Sequence, residues 1–564
     1  MMTADYIQSR EVPRARGGVR RFVLPLLIAL VILIATLFVV AWLPLRQGRD
    51  AWLRGRDAEA ITIGEKWSRF PLWPAHYNQL LAAAYLASGN AAAARQHLGA
   101  IGSVRLSVIP KDEMARRLLA RGRYDDFLTY DAASRDARES TDVPLYRAAA
   151  LVAANRLAEG QKAFVSIDRM HVDAKRYAAL QGAIAARASG DVPYVLDRNG
   201  ATIAAIRAND VVATNDDFAP YINRDAGTLT IGANLQRLGT DATIETTLDP
   251  FVQKAALKAL GDVRGALVAI DPRTNEILAI ASSRGKGTPA NIALEHQFEP
   301  GSVIKVLTGL NAANGAVDVA PLFPYTCKGG LDIDGRHFAD WVPAGHGVLQ
   351  SIDDAFAVSC NIFFADLGLR LGTDRLKSFM TAAGFDGDAD LGMFRVPLGR
   401  IIGPIPDRFE TAFLAIGLKH ESMNALHVAM IASMMANRGE LTTPKLLVQR
   451  RSILGDMVAN GPPQTSSRLA SIAAAETMVH AMQAVVTDAK GTGRRAQVPG
   501  ISIAMKTGTA GERKNGLDGV ILAFAPAESP RIAFGIIAED AGPAELAGAK
   551  IAHDFVEAMR PRLN

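Results

Sequence analysis

The sequence predicts a multidomain chain: a single transmembrane helix, then an α-helical repeat module, then an α/β domain whose antiparallel sheet is flanked by helices. Three observations carry this. Phe22 to Leu45 contains no charged residue. Between positions 55 and 190, a stretch rich in Ala, Leu and Arg, glycine or asparagine recurs about every 34 residues. Beyond Val192, strand-length apolar runs lie at both ends of a helical block, the pattern of a mixed α/β layer fold. The predicted divisions are a cytoplasmic tail at 1–21, an anchor at 22–45, a helical module at 46–192, a linker or short pedestal at 193–250, and the α/β domain at 251–564.

The bulk numbers agree with several domains. A chain of 564 residues exceeds one ordinary domain. With 49% hydrophobic and 21% charged residues, its composition is globular. The net charge of +5 is small for this length and the arginines are spread out, so no nucleic-acid partner is expected. Two cysteines, Cys327 and Cys360, exclude a disulfide scaffold and leave room for one bridge.

As a helix, Phe22–Leu45 would measure roughly 36 Å, enough for a hydrocarbon core of about 30 Å. Trp42 sits near its far end, where an aromatic anchor belongs. Arg10, Arg14, Arg16, Arg20 and Arg21 precede the run and place the N-terminus in the cytoplasm; Arg46, Arg49, Arg54 and Arg56 follow it and weaken that asymmetry. The run is too long for the apolar part of a secretory signal, and Leu43-Pro44-Leu45 offers no small-residue cleavage site. An uncleaved single-pass anchor is expected.

In the module, Gly55, Gly89, Gly122, Asn155 and Gly190 are 34, 33, 33 and 35 residues apart. Most close one apolar helical run and precede another, as a left-handed residue between two helices would. The period resembles that of tetratricopeptide repeats, although the early Trp and closing Pro are mostly missing; a non-repetitive helical bundle is the alternative. Stacked repeats present a concave surface to protein partners.

In the α/β domain, Gly265–Ser282 reads as strand, turn, strand, with Asp271 to Asn275 as the turn. Ile532–Ala538 reads as a buried strand and Ile551–Met559 as a closing helix. Pro300-Gly301-Ser302-Val303-Ile304-Lys305 opens a helix. Ser302 and Lys305 stand three apart on one face, at an end where the helix dipole favours negative charge. A lysine among Val303, Ile304 and Val306 has its pKa lowered and can act as a base toward the hydroxyl. By itself this spacing also fits a capping serine and a surface lysine. Two further elements, Ser359-Cys360-Asn361 after an apolar run and Lys506-Thr507-Gly508-Thr509 after a strand-like run, complete an ordered set.

That set, SxxK then SxN then KTG, resembles the penicillin-binding proteins and serine β-lactamases. The resemblance extends over about residues 193–564. It takes in Asn291-Ile292-Ala293, Thr246-Thr247-Leu248-Asp249-Pro250, Gly491-Thr492-Gly493 and Asp197-Arg198-Asn199-Gly200, and it points to a monofunctional, class B-like transpeptidase. It implies a penicillin-binding/β-lactamase-like fold and a peptidoglycan D,D-transpeptidase that β-lactams inhibit covalently. Carried over by motif, Ser302 is the nucleophile and Lys305 its base. Ser359 relays a proton and Asn361 binds the peptide backbone. Lys506, Thr507, Gly508 and Thr509 form the motif that binds the terminal carboxylate. The backbone N–H groups of Ser302 and Thr509 form the oxyanion hole. The implied partners are peptidoglycan stem peptides, β-lactams, the cytoplasmic membrane and, through the module, wall-synthesis proteins.

Departures from the family pattern are Gly417-Leu418-Lys419 in place of Gly-Gln-Gly, Ala425 where proline is common, and no Trp or Phe at the start of Gly519–Pro526. No cofactor is required. The resemblance also brings in zinc, with Asp340, His346 and Cys360 as candidate ligands within a constellation that includes Asp332 and Asp334; a polar turn with a free buried thiol is the plainer reading. Two other functions stay open at this point: a β-lactamase or β-lactam sensor on the same fold, and a non-catalytic wall-synthesis scaffold.

Overall fold

The computed structural model describes residues 20–563 apart from 102, 105–107, 137–139, 241, 285–289 and 513–515. The basic tail with Arg10, Arg14 and Arg16 lies outside the described residues. The chain divides into two compact units, 1–178 and 179–564.

In the first unit, α1 (Arg20–Leu53) is long and apolar enough to cross a membrane. It does not stop where the apolar run stops. Its last turns carry Arg46 and Arg49 on one side and bury Ala41, Leu45, Ala51 and Trp52 on the other. The residues after Leu45 still follow a helical period, so the anchor continues without a linker into the helical array. The array comprises α2 (Asp57–Trp67), α3 (Pro74–Ser88), α4 (Ala91–Leu98), α5 (Lys111–Leu119), α6 (Tyr124–Ala133), α7 (Val143–Ala153) and α8 (Leu157–Val165). It is followed by α9 (Ala174–Ser189), within which the division between units falls. Gly55, Gly89, Gly122, Asn155 and Gly190 all adopt positive φ, between 62° and 94°, just beyond the ends of α1, α3, α5, α7 and α9. A left-handed residue there ends each helix and lets the chain reverse. Arg117 holds Asp57 through two contacts of 2.6 and 2.7 Å and covers the Trp52 ring at 4.6 Å, tying α5 to the end of α1.

Besides several two-stranded sheets, the second unit holds two large ones, of six and five strands. One is built from β1 (Val192–Leu196), β2 (Thr202–Arg207), β3 (Asp210–Ala213) and β4 (Ala242–Thr246), joined by two strands from far along the chain. After β4 come α10 (Pro250–Leu260), β5 (Arg264–Asp271), β6 (Glu276–Arg284), α11 (Lys305–Asn311), α12 (Ile352–Ala357), α13 (Asn361–Leu371), α14 (Arg408–Ile416) and α15 (Ala425–Ala436). The joining strands β7 (Leu447–Ser452) and β8 (Met457–Asn460) follow. The order in this sheet is β8-β7-β4-β1-β2-β3, with β1 and β4 parallel and the other pairs antiparallel. The pedestal read at 193–250 is thus completed by residues 447–460.

Further along the chain come α16 (Ile472–Thr487), β9 (Ala504–Glu512), β10 (Gly516–Ala525), β11 (Ile532–Ala538) and α17 (Ala547–Leu563). The second sheet runs β9-β10-β11-β5-β6, antiparallel throughout. The strand–turn–strand at 265–282 is β5–β6, with Asn275 at φ 52° in its turn. β11 is buried along its whole length because both faces are covered. Phe534 meets Phe555 of α17 at 5.0 Å, and its neighbour Gly535, pointing the other way, lies against Ala425 and Ala429 of α15. The helical block α11–α14 with α16 follows the sheet's β9 end and supplies the remaining walls of the site.

Candidate active site

Ser302 lies in a single 3-10 turn, Gly301–Ile304, that leads into α11. The helix predicted from Pro300 therefore opens with the tighter geometry. Two neighbours fix the turn. Gly417, at φ 82° after α14, accepts the Gly301 N–H at 2.8 Å, and a Cβ at 417 would run into the Gly301 carbonyl. On β9, a Cβ at Gly508 would meet the Pro300 carbonyl and lie 3.1 Å from Val303 N. Glycine at these two positions lets the sheet edge and the loop after α14 close on the Ser302 turn.

Lys305 is fully buried. Its Nζ donates to the Ser359 carbonyl at 2.8 Å, to Ser359 Oγ at 3.3 Å and to Asn361 Oδ1 at 2.6 Å. Among the described residues Ser302 Oγ makes no hydrogen bond, so Lys305 stands one turn from Ser302 and is held by Ser359 and Asn361. Burial pulls the Lys305 pKa down to about 8, although the charges of Asp340 and Cys360 act the other way. Lys506 is also fully buried, and its Nζ donates to Ser359 Oγ at 2.8 Å and to the Thr507 carbonyl at 2.9 Å. Burial, and then the charge of Lys305, hold its pKa well below the ordinary lysine value. Ser359, at φ 55°, thus lies between two amines in a low-dielectric space.

A cavity of about 350 Å³ opens above these groups. Ser302, Ser359, Asn361, Thr507 and Thr509 line it; Lys305 and Lys506 lie beneath, and Gly508 packs against the serine turn. The Thr507 hydroxyl is 2.7 Å from that of Thr492, which brings the Gly491-Thr492-Gly493 segment into the wall. Trp341, Leu418, Gly511, Leu517, Pro543 and Glu545 complete the lining. Gly511, Leu517, Pro543 and Glu545 were not read from the sequence. Gly511 and Leu517 are paired on β9 and β10. Pro543 and Glu545 reach the site because the Ala544 N–H donates to Thr509 Oγ1 at 3.1 Å and seats the loop before α17 on β9, a contact with no local sequence signature.

Of the zinc candidates, Asp340 and Cys360 come together and Cys327 joins them. Their ligand atoms all lie within 4.8 Å of one another, and all three residues are buried. His346 Nε2 is 3.3 Å from Asp340 Oδ1. Asp332 and Asp334 lie outside this cluster: Asp332 accepts the Gly335 N–H at 3.1 Å and Asp334 pairs with Arg408 at 3.1 Å. Both thiols are free, so the bridge allowed by the cysteine count is not formed. Two sulfurs, a carboxylate and an imidazole are donors that suit zinc, so the residues present fit that ion. Asp340 also accepts the Asn361 and Ile362 N–H groups at 3.1 and 3.4 Å and caps α13. Burial alone would raise its pKa, but the His346 hydrogen bond, the His346 and Lys305 charges and the Val342 N–H hold it at about 2.

Fold and site together define a serine-nucleophile acyl-transfer domain: an antiparallel sheet whose edge strand faces a serine turn, with buried amines serving both. The penicillin binding protein transpeptidase domain matches residues 265–559, and the chain belongs to that family. The chain is 29% identical over 378 residues to the peptidoglycan D,D-transpeptidase PbpA of Mycolicibacterium smegmatis, covering 60% of this chain and 74% of the relative. It is 28% identical over 344 residues to the peptidoglycan D,D-transpeptidase MrdA of Acinetobacter baumannii, covering 52% and 50%. Among solved structures, the D,D-transpeptidase domain of a peptidoglycan glycosyltransferase from Eggerthella lenta superposes with a TM-score of 0.57 at 22% identity, over 66% of this chain and 99% of that one. The ceftriaxone acyl-enzyme of penicillin-binding protein A from M. tuberculosis gives 0.56 at 23%, over 66% and 98%. At these identities the likeness is one of fold.

Proposed function

We propose that this protein is a peptidoglycan D,D-transpeptidase that cross-links stem peptides through an acyl-enzyme on Ser302 and is inhibited when β-lactams acylate the same oxygen. The observation that carries the reading is the meeting of Ser302, Ser359, Asn361, Thr507 and Thr509 at one cavity above two buried lysines. The names of the relatives support it.

Neutral Lys305 takes the proton of Ser302, whose Oγ attacks the carbonyl between two D-alanines. The backbone N–H groups of Ser302 and Thr509 stabilise the oxyanion. Ser359, hydrogen-bonded to both amines, passes a proton to the departing amine and receives in its place the one that Lys305 took from Ser302, and Asn361 aligns the peptide backbone. The hydroxyls of Thr507 and Thr509 meet the terminal carboxylate. Lys506 is buried under Ser359, so it favours that anion from behind rather than by facing it. An acceptor amine then takes the acyl group and Ser302 regains its proton.

No step needs a cofactor. Cys327, Asp340, His346 and Cys360 would hold a zinc ion as a structural clamp beside α13, and metal analysis of the purified protein tests this. We read the helices from 55 to 190 as a tetratricopeptide-like array that receives a wall-synthesis protein, supported by the five left-handed residues spaced 33–35 apart. We read α1 as leaving the N-terminus in the cytoplasm and the catalytic unit outside. An export-dependent reporter at the C-terminus should then be active.

The deciding experiment is labelling with fluorescent penicillin. Wild type should form an adduct on the peptide containing Ser302, and Ser302→Ala should fold and take none. Undiminished labelling of that variant overturns the mechanism. Steady turnover of a chromogenic cephalosporin would mark a β-lactamase instead, and no adduct in wild type a scaffold.

A further inference from the structure

The first unit carries a second aromatic feature beside α1. The chain between α2 and α3 reads Trp67-Ser68-Arg69-Phe70-Pro71-Leu72-Trp73. Its rings are not packed into the array's core: Trp67, Phe70 and Trp73 are half-buried, and Arg69 and Pro71 are exposed. The Trp67 and Phe70 rings meet edge to face at 5.6 Å. Trp73 makes its edge contact, at 4.7 Å, with Phe38 of α1. Tyr77, at the start of α3, donates its hydroxyl to the Ala41 carbonyl at 2.6 Å, which pins the loop to the same stretch of helix.

Phe38 belongs to the apolar span. It lies eight residues before Arg46, the first charged residue after the run, so it is about 12 Å along the helix axis from that charge. From Val23 to Val40 the described large apolar side chains of α1 are exposed, as a helix facing lipid requires. A ring packed on Phe38 shares its depth. With Phe22–Leu45 in the bilayer, Trp73 therefore cannot lie in bulk water, and Trp67 and Phe70 follow it toward the boundary between headgroups and acyl chains. The composition suits that boundary: three aromatic rings and Leu72, flanked by Lys66 and Arg69, both exposed. Arg46 lies over Trp42 at 5.3 Å, a further aromatic and basic pair at the same end of the helix.

We infer that the Trp67–Trp73 loop is a second membrane contact, seated in the interfacial layer of the leaflet from which α1 emerges. The occupant of this surface is the lipid bilayer itself, because the loop is continuous with the lipid-facing side of α1. The consequence is orientational. A single helix joined to a soluble unit leaves that unit free to tilt, whereas two contacts in one plane fix the first helices of the array against the membrane.

The inference rests on α1 spanning the bilayer, and the experiment separates the two. The full-length protein is reconstituted in vesicles of phosphatidylcholine and phosphatidylglycerol, carrying an environment-sensitive fluorophore on Arg69→Cys, on Val31→Cys or on Val165→Cys. Cys327 and Cys360 are buried and should label little. Val31 reports the span, and Val165, highly exposed on α8, reports water. The label at 31 should be quenched by a nitroxide deep in the acyl chain. The label at 69 should be blue-shifted and quenched by a nitroxide near the headgroup, and the label at 165 by neither. If position 31 is quenched while 69 behaves like 165, the loop contact is overturned and the span stands. If position 31 is not quenched, the span fails and the loop contact with it.

Discussion

Lys506 Nζ lies 2.8 Å from Ser359 Oγ, so the strand motif is latched to the loop motif by one hydrogen bond between two buried groups. Lys305 Nζ reaches the same oxygen at 3.3 Å. Two amines around one hydroxyl cannot both be charged without strong repulsion in a space shielded from water. The arrangement therefore keeps at least one lysine neutral, the form that the proposed base for Ser302 needs.

Acylation should rise with pH through a midpoint near the Lys305 value of about 8. The sign follows from the base's form. Burial disfavours the ammonium, the neutral amine accepts the serine proton, and its fraction grows as pH increases. The second-order rate constant for penicillin acylation, measured between pH 6 and pH 9, checks this. Lys305→Ala should remove the rising limb and lower the rate by about 10²–10⁴-fold. A limb that persists in that variant would assign the base elsewhere.

Ser359→Ala should slow acylation by about 10²-fold without unfolding the protein. The change removes the hydroxyl held by both lysines but leaves the Ser359 carbonyl and Asn361 Oδ1 as acceptors for Lys305, and the Thr507 carbonyl for Lys506. Both amines thus keep a partner, and the loss should appear in the rate rather than the thermal midpoint. Stopped-flow acylation and a melting curve of the same sample separate the two.

How far the sequence could be read follows from how local each feature is. Ser302, Ser359, Asn361 and the 506–509 strand were legible because each sits in a short motif, and β5–β6 and β11 because alternation or a continuous apolar run marks them. The six-stranded sheet was not legible in full. β4 pairs with β7 some two hundred residues later, and nothing near either strand announces the other. The entry of Cys327 into the Asp340 cluster and of Glu545 into the cavity are long-range in the same way. The burial of Lys506 was hidden for another reason. A lysine on an edge strand can point to either face, and only the packed helices decide which. The continuation of α1 to Leu53 was masked by Arg46 and Arg49, which end the apolar run but not the helix.

Gly417→Ala should cut acylation by tenfold or more, out of proportion to its effect on stability. The residue holds φ 82°, where an alanine is strained by about 1 kcal/mol, and its new Cβ would strike the Gly301 carbonyl. Relief must come from moving the loop or the Ser302 turn, and the turn carries the nucleophile. A shift of about 1 Å at the reacting atom is enough for a large rate loss. Equal losses in acylation rate and in stability would show instead that the whole block of helices had loosened.

Glu421→Gln should stabilise the protein at pH 8 and do little at pH 4. Glu421 is buried in the short strand Glu421–Ser422, where Ile401 is its partner across the pair. Neither carboxyl oxygen has a hydrogen-bond partner among the described residues. Burial, and then the charge of Glu299, raise its pKa well above 4.5. In the folded protein the group therefore stays protonated, while in the unfolded chain it ionises once pH passes its ordinary value. Between those two pKa values unfolding releases a proton, so Glu421 costs more stability as pH rises through that window. Glutamine keeps the shape and cannot ionise in either state, so it removes that pH-dependent cost. Urea denaturation of wild type and variant at pH 4 and pH 8 checks the claim. The difference in midpoint should open with pH in the variant's favour. An equal difference at both values would mean that Glu421 is ionised and paired in the fold, contrary to its burial without a partner.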